Sequence, residues 1–361
     1  GLAAKTGRTL NAFRERVERY FGDATRSETR VDAPESYVTR RFSQLHALVT
    51  VSEDRPAPID GLLDELAQLH SYARSVARAA DSGRQALLAV KGEGTEVEQL
   101  GSAAEELPKP VDAWIGTLSQ DINNVISGGA RAQLNNIWTA EVLPFCREAI
   151  HGRYPLIKDS SREATVYDFG RLFGPGGLLD AFFQENLSPI VDTSRKRWAW
   201  LGGGVGISDD VLEQFQRAAT IREAFFLAGG STPAVDFELK PLEMDPQAKQ
   251  FTLDLEGQLV DYRHGPPRSV KLKWPGPEGP SRVRIVFVDL SGNRPSLVEE
   301  GPWAWFRMLD RGLMRATRQP ELFHVTFGVS GMRATFELRA VSVRNPFRLK
   351  NLRSFRCPGR L

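Results

Sequence analysis

The sequence predicts an α+β chain, a multi-helix region followed by an antiparallel β-sandwich with one inserted helix, and three observations carry that prediction. Up to about residue 232, apolar residues recur every three or four positions, the spacing of a helix with one buried stripe. Beyond Gly229, Gly230 and Pro233 the spacing falls to two, as in strands with one face in a core. Short turn signals separate these period-two runs, which favours antiparallel pairing in a sandwich.

In the first region, Leu62, Leu66, Leu69, Ala73 and Val76 form a helical stripe, with Asp60 as its expected N-cap after Pro56 and Pro58. A second helix carries Trp114, Ile115, Leu118, Ile122 and Val125, opened by Pro110 and closed by Gly128 and Gly129. A third carries Leu134, Ile137, Trp138, Val142 and Phe145, ended or kinked by Pro144. Shorter helical faces occur at Phe13, Val17 and Phe21, at Leu178, Phe182 and Phe183, and at Val211, Leu212, Phe215 and Ala218.

In the second region, strands are expected at Val235 to Leu239, Phe251 to Leu255, Val270 to Trp274 and Val283 to Phe287. Glu256-Gly257 reads as a hairpin turn, and Phe323 to Phe327 face Ala334 to Leu338 across residues 328–331 in a second hairpin. The inserted helix runs from Pro302 through Trp303, Phe306, Asp310 and Leu313, with Gly312 near its end. The domains expected are a helical one at 1–232, a sandwich at 233–344 that folds as a strand-rich fragment, and a tail at 345–361. Phe347, Leu352 and Phe355 either dock that tail on the sandwich or extend it to a neighbour.

Composition bounds the function. The chain has 361 residues, 41% hydrophobic and 25% charged, which suits a folded chain of two or three units. Its 47 basic against 45 acidic residues imply no general attraction to nucleic acid. No run reaches the roughly 18–20 apolar residues needed to span a bilayer. The first methionine is Met244, so the sequence is read as a fragment or processed product, with any anchor or signal to be sought upstream. From Arg339 to Leu361 there are seven basic residues and no acidic one, read as solvated charge around a packed segment. Cys146 and Cys357 are too few for a zinc site; they can pair in an oxidising compartment, and two free thiols are the expectation. Pairing would require the tail to fold back on the helical region.

Several stretches invite a catalytic reading and do not sustain it. DFGRLFGPGG at 168–177 contains the metal-binding triplet of kinases, but no catalytic loop or strand lysine accompanies it, and Asp168 is expected to cap a short helix. LGGGVGIS at 201–208 lacks the Lys-Ser/Thr of a phosphate loop and is expected to be a flexible connection. GVSG at 328–331 is followed by Met332 and lies between strands, so Ser330 is a turn residue. His46, His70, His151, His264 and His324 show no metal-ligand spacing. Asp209 and Asp210 suit a helix start. No acid, base and nucleophile assemble, so neither catalysis, cofactor nor metal is expected.

Six stretches in order along the chain carry a resemblance: YVTRRFSQLHALV (37–49), VLPFCREAIHGRYPL (142–156), VYDFGRLFGPGGLLDAFF (166–183), YRHGP (262–266), GPWAWFRMLDRG (301–312) and NPFRLKNLRSFRCPGRL (345–361). Together they resemble the periplasmic C-terminal region of the TssM (IcmF) family of bacterial type VI secretion systems. Full-length members carry membrane helices and a nucleotide-binding-like domain upstream, which this sequence does not contain. The resemblance implies a structural part of a membrane complex, anchored in the inner membrane and lying in the periplasm. It also implies a helical part followed by a sandwich that binds the outer-membrane lipoprotein TssJ, with TssL and further TssM copies as other partners. The contrasting reading is a cell-wall-binding or cell-wall-acting module, which would need converging carboxylates or a metal cluster. The expected contact residues lie on two sandwich loops: Trp274, Pro275, Glu278 and Arg282 on one, Asn293 and Arg294 on the other, at opposite ends of the strand between them. The first loop is favoured, with Trp274 as anchor and Arg282 on its rim. Trp274 equally continues the buried alternation of Val270 and Leu272.

Overall fold

A computed structural model describes residues 12, 15, 16 and 42–361, apart from 52–55, 80, 93–100, 103, 202–203, 227–228, 280, 342–344 and 348–349. The helical face expected at Phe13, Val17 and Phe21 lies outside the described residues. The chain forms two compact units, one of residues 1–136 with 201–207, the other of 137–200 with 208–361. Backbone conformation therefore switches from helix to strand near 232, whereas compaction divides the chain elsewhere.

The first unit is helical. Helices α1 (Ser43–Val49), α2 (Pro58–Arg78), α3 (Ser82–Lys91) and α4 (Val111–Ile137) bury Leu45, Leu48, Leu62, Leu66, Leu69, Ala86, Leu87, Ile115, Ile122 and Leu134. Proline at the first position of α2 sets its start, so Ala57 is the cap and Asp60 lies in the first turn, where its charge suits the helix dipole. Gly128 and Gly129 do not close α4, which continues to Ile137. A Cβ on Gly129 would come within 3.0 Å of the Ala86 Cβ, so glycine here serves the close approach of α3 and α4. Residues 204–207 form a packed turn instead of a loose connection. Val205 and Ile207 are buried, and Arg131 Nη1 donates to the Gly206 carbonyl at 3.1 Å.

The second unit begins with a π-helical turn, Trp138–Val142, which leads into α5 (Leu143–Ile150). Pro144 thus does not end the helix; it sits in the first turn of α5, directly after the π-helical turn. Helices α6 (Val166–Phe173), α7 (Leu178–Phe182) and α8 (Asp209–Phe225), with a two-strand ribbon of β1 (Val191–Asp192) and β2 (Ala199–Trp200), complete a helical layer. Thr165, not Asp168, caps α6: its hydroxyl accepts from the Asp168 N–H at 2.9 Å.

Two antiparallel sheets follow. One has the order β6-β3-β11-β10-β9, formed by Val270–Trp274, Val235–Met244, Met332–Ala340, Leu322–Val329 and Leu313–Ala316; the other, β5-β4-β7-β8, by Gln258–Tyr262, Ala248–Leu255, Arg282–Asp289 and Ser296–Glu300. The inner faces bury Phe237, Leu239, Phe251, Leu253, Ile285, Phe287, Val325, Phe327, Phe336 and Leu338, at the expected period of two. Both hairpins use residues in the left-handed region, Glu256 (φ 51°) with Gly257 (φ 87°) and Ser330 (φ 50°) with Gly331 (φ 84°), the pairing whose twist matches that of the flanking strands. The first hairpin joins β4 to β5, and β6 crosses to the other sheet beside β3. At that corner the Gln258 side chain bridges the edges, donating to the Lys273 carbonyl at 2.7 Å and accepting from its N–H at 2.9 Å. Between β8 and β9, helix α9 (Ala304–Arg311) buries Trp305, Phe306, Met308 and Leu309.

A continuous run of aromatic rings joins helical layer and sandwich. Phe169 lies 5.0 Å from Trp303, Trp303 lies 4.8 Å from Trp274, and Trp274 lies 4.8 Å from Phe306. Such pairs add about 0.5–1.5 kcal/mol each to their burial. The Trp303 indole N–H donates to the Ala164 carbonyl at 2.7 Å, so the ring is both buried and satisfied. Beside it runs a polar seam: the Arg307 guanidinium pairs with Glu163 and lies 4.0 Å over the Tyr154 ring, and the Tyr154 hydroxyl donates to Asp310 at 2.8 Å. Burial, with the Asp310 carboxylate, pushes that hydroxyl far above the ordinary tyrosine range.

Gly170, the last residue of the Asp-Phe-Gly triplet, packs its α-carbon against the backbone of Ser231. A Cβ there would collide with the Ser231 carbonyl oxygen. Gly170→Ala is therefore expected to cost about 1–3 kcal/mol, read as a lowered urea midpoint with unchanged slope. An unaltered midpoint would disprove this account of the triplet.

The tail folds back across this unit. Phe347 packs on Phe237 and Phe306, α10 (Lys350–Ser354) pairs Arg353 with Asp310, and Phe355 lies 5.0 Å from Phe173. The Trp138 indole donates to the Pro358 carbonyl at 2.9 Å, and Arg217 donates to the Ser354 carbonyl at 2.7 Å. This path brings the two cysteines to a Cα separation of 6.2 Å, and they form a disulfide. The expectation of two free thiols is thereby corrected: the buried ring contacts and backbone hydrogen bonds of the tail carry Cys357 to Cys146, as pairing requires.

Candidate functional site

The two candidate loops flank β7, whose eight residues set them roughly 25 Å apart at opposite ends of the four-stranded sheet. At one end, residues 275–279 lie over the 256–257 hairpin. The Glu278 N–H donates to the Glu256 carbonyl at 3.3 Å, and the Gly279 N–H donates to the Gly276 carbonyl at 3.0 Å, so the loop closes on itself and on the hairpin. Pro275 is half-buried, and Pro277, Glu278, Ser281 and Arg282 are exposed. Next to them on β5, Leu259 is 66% exposed. An exposed acid, an exposed base and a proline on a tied-down loop, with an uncovered leucine on β5, make a surface that loses little entropy on association.

Trp274 is not part of that surface. It is 0% exposed and packed among Phe225, Trp303 and Phe306, so the expected aromatic anchor belongs to the core. Its neighbours Val270 and Leu272 face the same way along β6, and that alternation continues through it.

At the opposite end, Asn293 and Arg294 are exposed, and Leu290 is 72% exposed. Asn293 is committed to its own turn: its N–H and side-chain amide both donate to Asp289, at 2.8 and 2.7 Å. Those bonds hold the Asp289 carboxyl below the usual carboxylate range. The structure thus places Pro275, Glu278 and Arg282 together and sets Asn293 and Arg294 apart from them.

Elsewhere in the second unit, a crevice of about 200 Å³ is lined by Phe183, Gln184, Thr193, Trp198 and the paired Asp180 and Arg222. Among the described residues no group of three or more His, Cys, Asp or Glu side chains is placed to hold a metal ion. No helix among them is long and apolar enough to cross a membrane.

The comparisons agree with this architecture. Residues 237–342 match the family model described as the type VI secretion protein IcmF C2-like domain. Over 90% of its length the chain is 40% identical to the type VI secretion system component TssM1 of Pseudomonas aeruginosa, of which it spans only 30%. Among solved structures, the fold is shared with a type VI secretion system membrane core complex (TM-score 0.69, 19% identity, 90% of this chain and 71% of that one). It is shared as well with the C-terminal domain of TssM from EAEC (TM-score 0.57, 22% identity, 64% of this chain and 98% of that one). Matched domain and shared fold define the class as a type VI secretion membrane-complex protein. Within that class the chain belongs to the TssM (IcmF) family.

Proposed function

We propose that this chain is the periplasmic part of a non-enzymatic scaffold that links an inner-membrane anchor to the outer-membrane lipoprotein TssJ, with TssL and other TssM copies as further partners. The end of the sandwich formed by residues 275–282 is the lipoprotein contact. The observation that carries this reading is the tied loop itself, which presents Glu278 and Arg282 with Pro277 and Leu259 from a rigid sheet end. The disulfide supports the compartment, because such bonds persist in oxidising surroundings and are rare in the cytosol. A wall-acting module finds less support: the crevice contains one carboxylate, Asp180, already committed to Arg222.

Reversing both charges, Glu278→Lys with Arg282→Glu, is expected to weaken lipoprotein binding at least tenfold in calorimetric titration, with the circular dichroism spectrum preserved. Arg294→Glu at the far end is expected to leave affinity within about twofold. Unchanged affinity in the double variant together with a loss in Arg294→Glu would transfer the contact to the opposite end.

A further inference from the structure

Beneath the 275–281 loop lies a carboxyl group that the contact surface itself does not use. Glu256 is only 2% exposed, at a left-handed position of the β4–β5 hairpin. Its Oε2 accepts from the Gly276 N–H at 2.5 Å, and its Oε1 is buried without a partner. The fit depends on residue 276 being glycine, since a Cβ there would come within 2.7 Å of the Glu256 Cβ. The loop's entry is held separately by Gln258, on the Lys273 backbone. Glu256 therefore acts on the turn that begins at Gly276, past the entry that Gln258 holds.

No charged group around it pairs with its carboxyl among the described residues. Asp254 on β4 accepts from the Gly257 N–H at 3.1 Å, Glu278 in the loop extends over Gly257, and Lys273 on β6 and Arg282 on β7 are exposed. A buried carboxylate without a cation is costly, whereas a buried carboxylic acid is not.

We propose that Glu256 is a proton-operated latch: while its carboxyl is neutral the 276–279 turn lies closed on the hairpin, and ionisation releases that turn. The consequence for lipoprotein binding rests on the function proposed above; the latch itself does not. Titration accords with this geometry, because burial raises the Glu256 carboxyl to about 7, outweighing the Gly276 and Ser281 N–H groups that pull it down. The folded form thus binds the proton more tightly than the unfolded chain, whose ordinary value is 4.5. The stability contributed is complete below that value and is lost as pH rises through about 7.

Amide exchange of residues 276–279, corrected for the intrinsic pH dependence of exchange, tests the latch without any partner. In the unaltered protein, protection is expected to fall roughly tenfold between pH 6 and pH 8.5. In Glu256→Gln, a neutral isostere, it is expected to stay level. Equal protection at both pH values in the unaltered protein, or the same fall in the variant, would overturn the proposal. A carboxyl titration of Glu256 in the unaltered protein by NMR decides the matter independently: a midpoint near 4.5 overturns it, a midpoint near 7 supports it. Lipoprotein affinity is then expected to vary with pH in the unaltered protein and not in Glu256→Gln. Absence of lipoprotein binding at every pH would instead overturn the function proposed for the loop.

Discussion

Replacing Cys146 and Cys357 together by alanine is expected to destabilise the second unit by about 2–5 kcal/mol, the usual loss when a native disulfide is removed. The bond closes a sequence separation of 211 residues, long enough for the unfolded chain to gain much freedom when it is absent. Urea titration of the double variant checks this, and the reduced unaltered protein should match the variant. Thiol titration of the native oxidised protein should find no free thiol. Two reactive thiols, or an unshifted urea midpoint, would remove the bond from the account of stability.

Trp303→Ala is expected to cost about 3–5 kcal/mol, as for other large core aromatics. The ring touches Phe169, Phe225, Trp274 and Phe306, so its loss opens a cavity where helical layer and sandwich meet. Its indole also satisfies the Ala164 carbonyl. Trp303→Phe retains most of the ring area but not that donor, and should cost about 1–3 kcal/mol. Near-equal losses for the two substitutions would assign the residue's contribution to the hydrogen bond alone.

Period-two spacing located β3, β4, β7, β10 and β11 because each buries three or more apolar residues, and β6 because Val270, Leu272 and Trp274 alternate, the last two of them buried. Strands β5, β8 and β9 escaped notice because they are edges that bury little: β5 only Val260, β8 only Glu299, paired with Arg311, and β9 nothing, whereas the edge strand β6 buries Leu272 and Trp274. The alternation that marks a strand in sequence requires a core on one side, and an edge strand has little of it. Helix ends were misjudged for a related reason. Gly128 and Gly129 have the composition of a stop, and only the nearness of Ala86 to Gly129 shows that Gly129 serves a crossing. For Trp274 the sequence supported anchor and core equally, and the decision lies in Trp303 and Phe306, about thirty residues away in the chain. Glu256 offered no signal at all: its burial is produced by a loop that begins at Pro275, and a Glu-Gly turn reads as an ordinary exposed hairpin. The cysteine pair was undecided in the sequence because pairing depends on the tail's route past Phe173 and Trp138.

The same cysteine bridge alters how this unit would carry tension. A pull entering upstream of Cys146 and leaving through the 275–281 loop finds two routes in parallel, one forward along the helical layer and one through the bridge and backward along β11, β10 and α9. Neither arm can extend unless the other does, so the shorter one limits how far the unit stretches even after its sheets part. A pull entering before Cys146 and leaving after Cys357 would bypass both sheets entirely. For a tether between two surfaces, the bridge therefore caps the extension of the unit at that of its shorter arm, and shields both sheets when the load crosses the cysteines themselves.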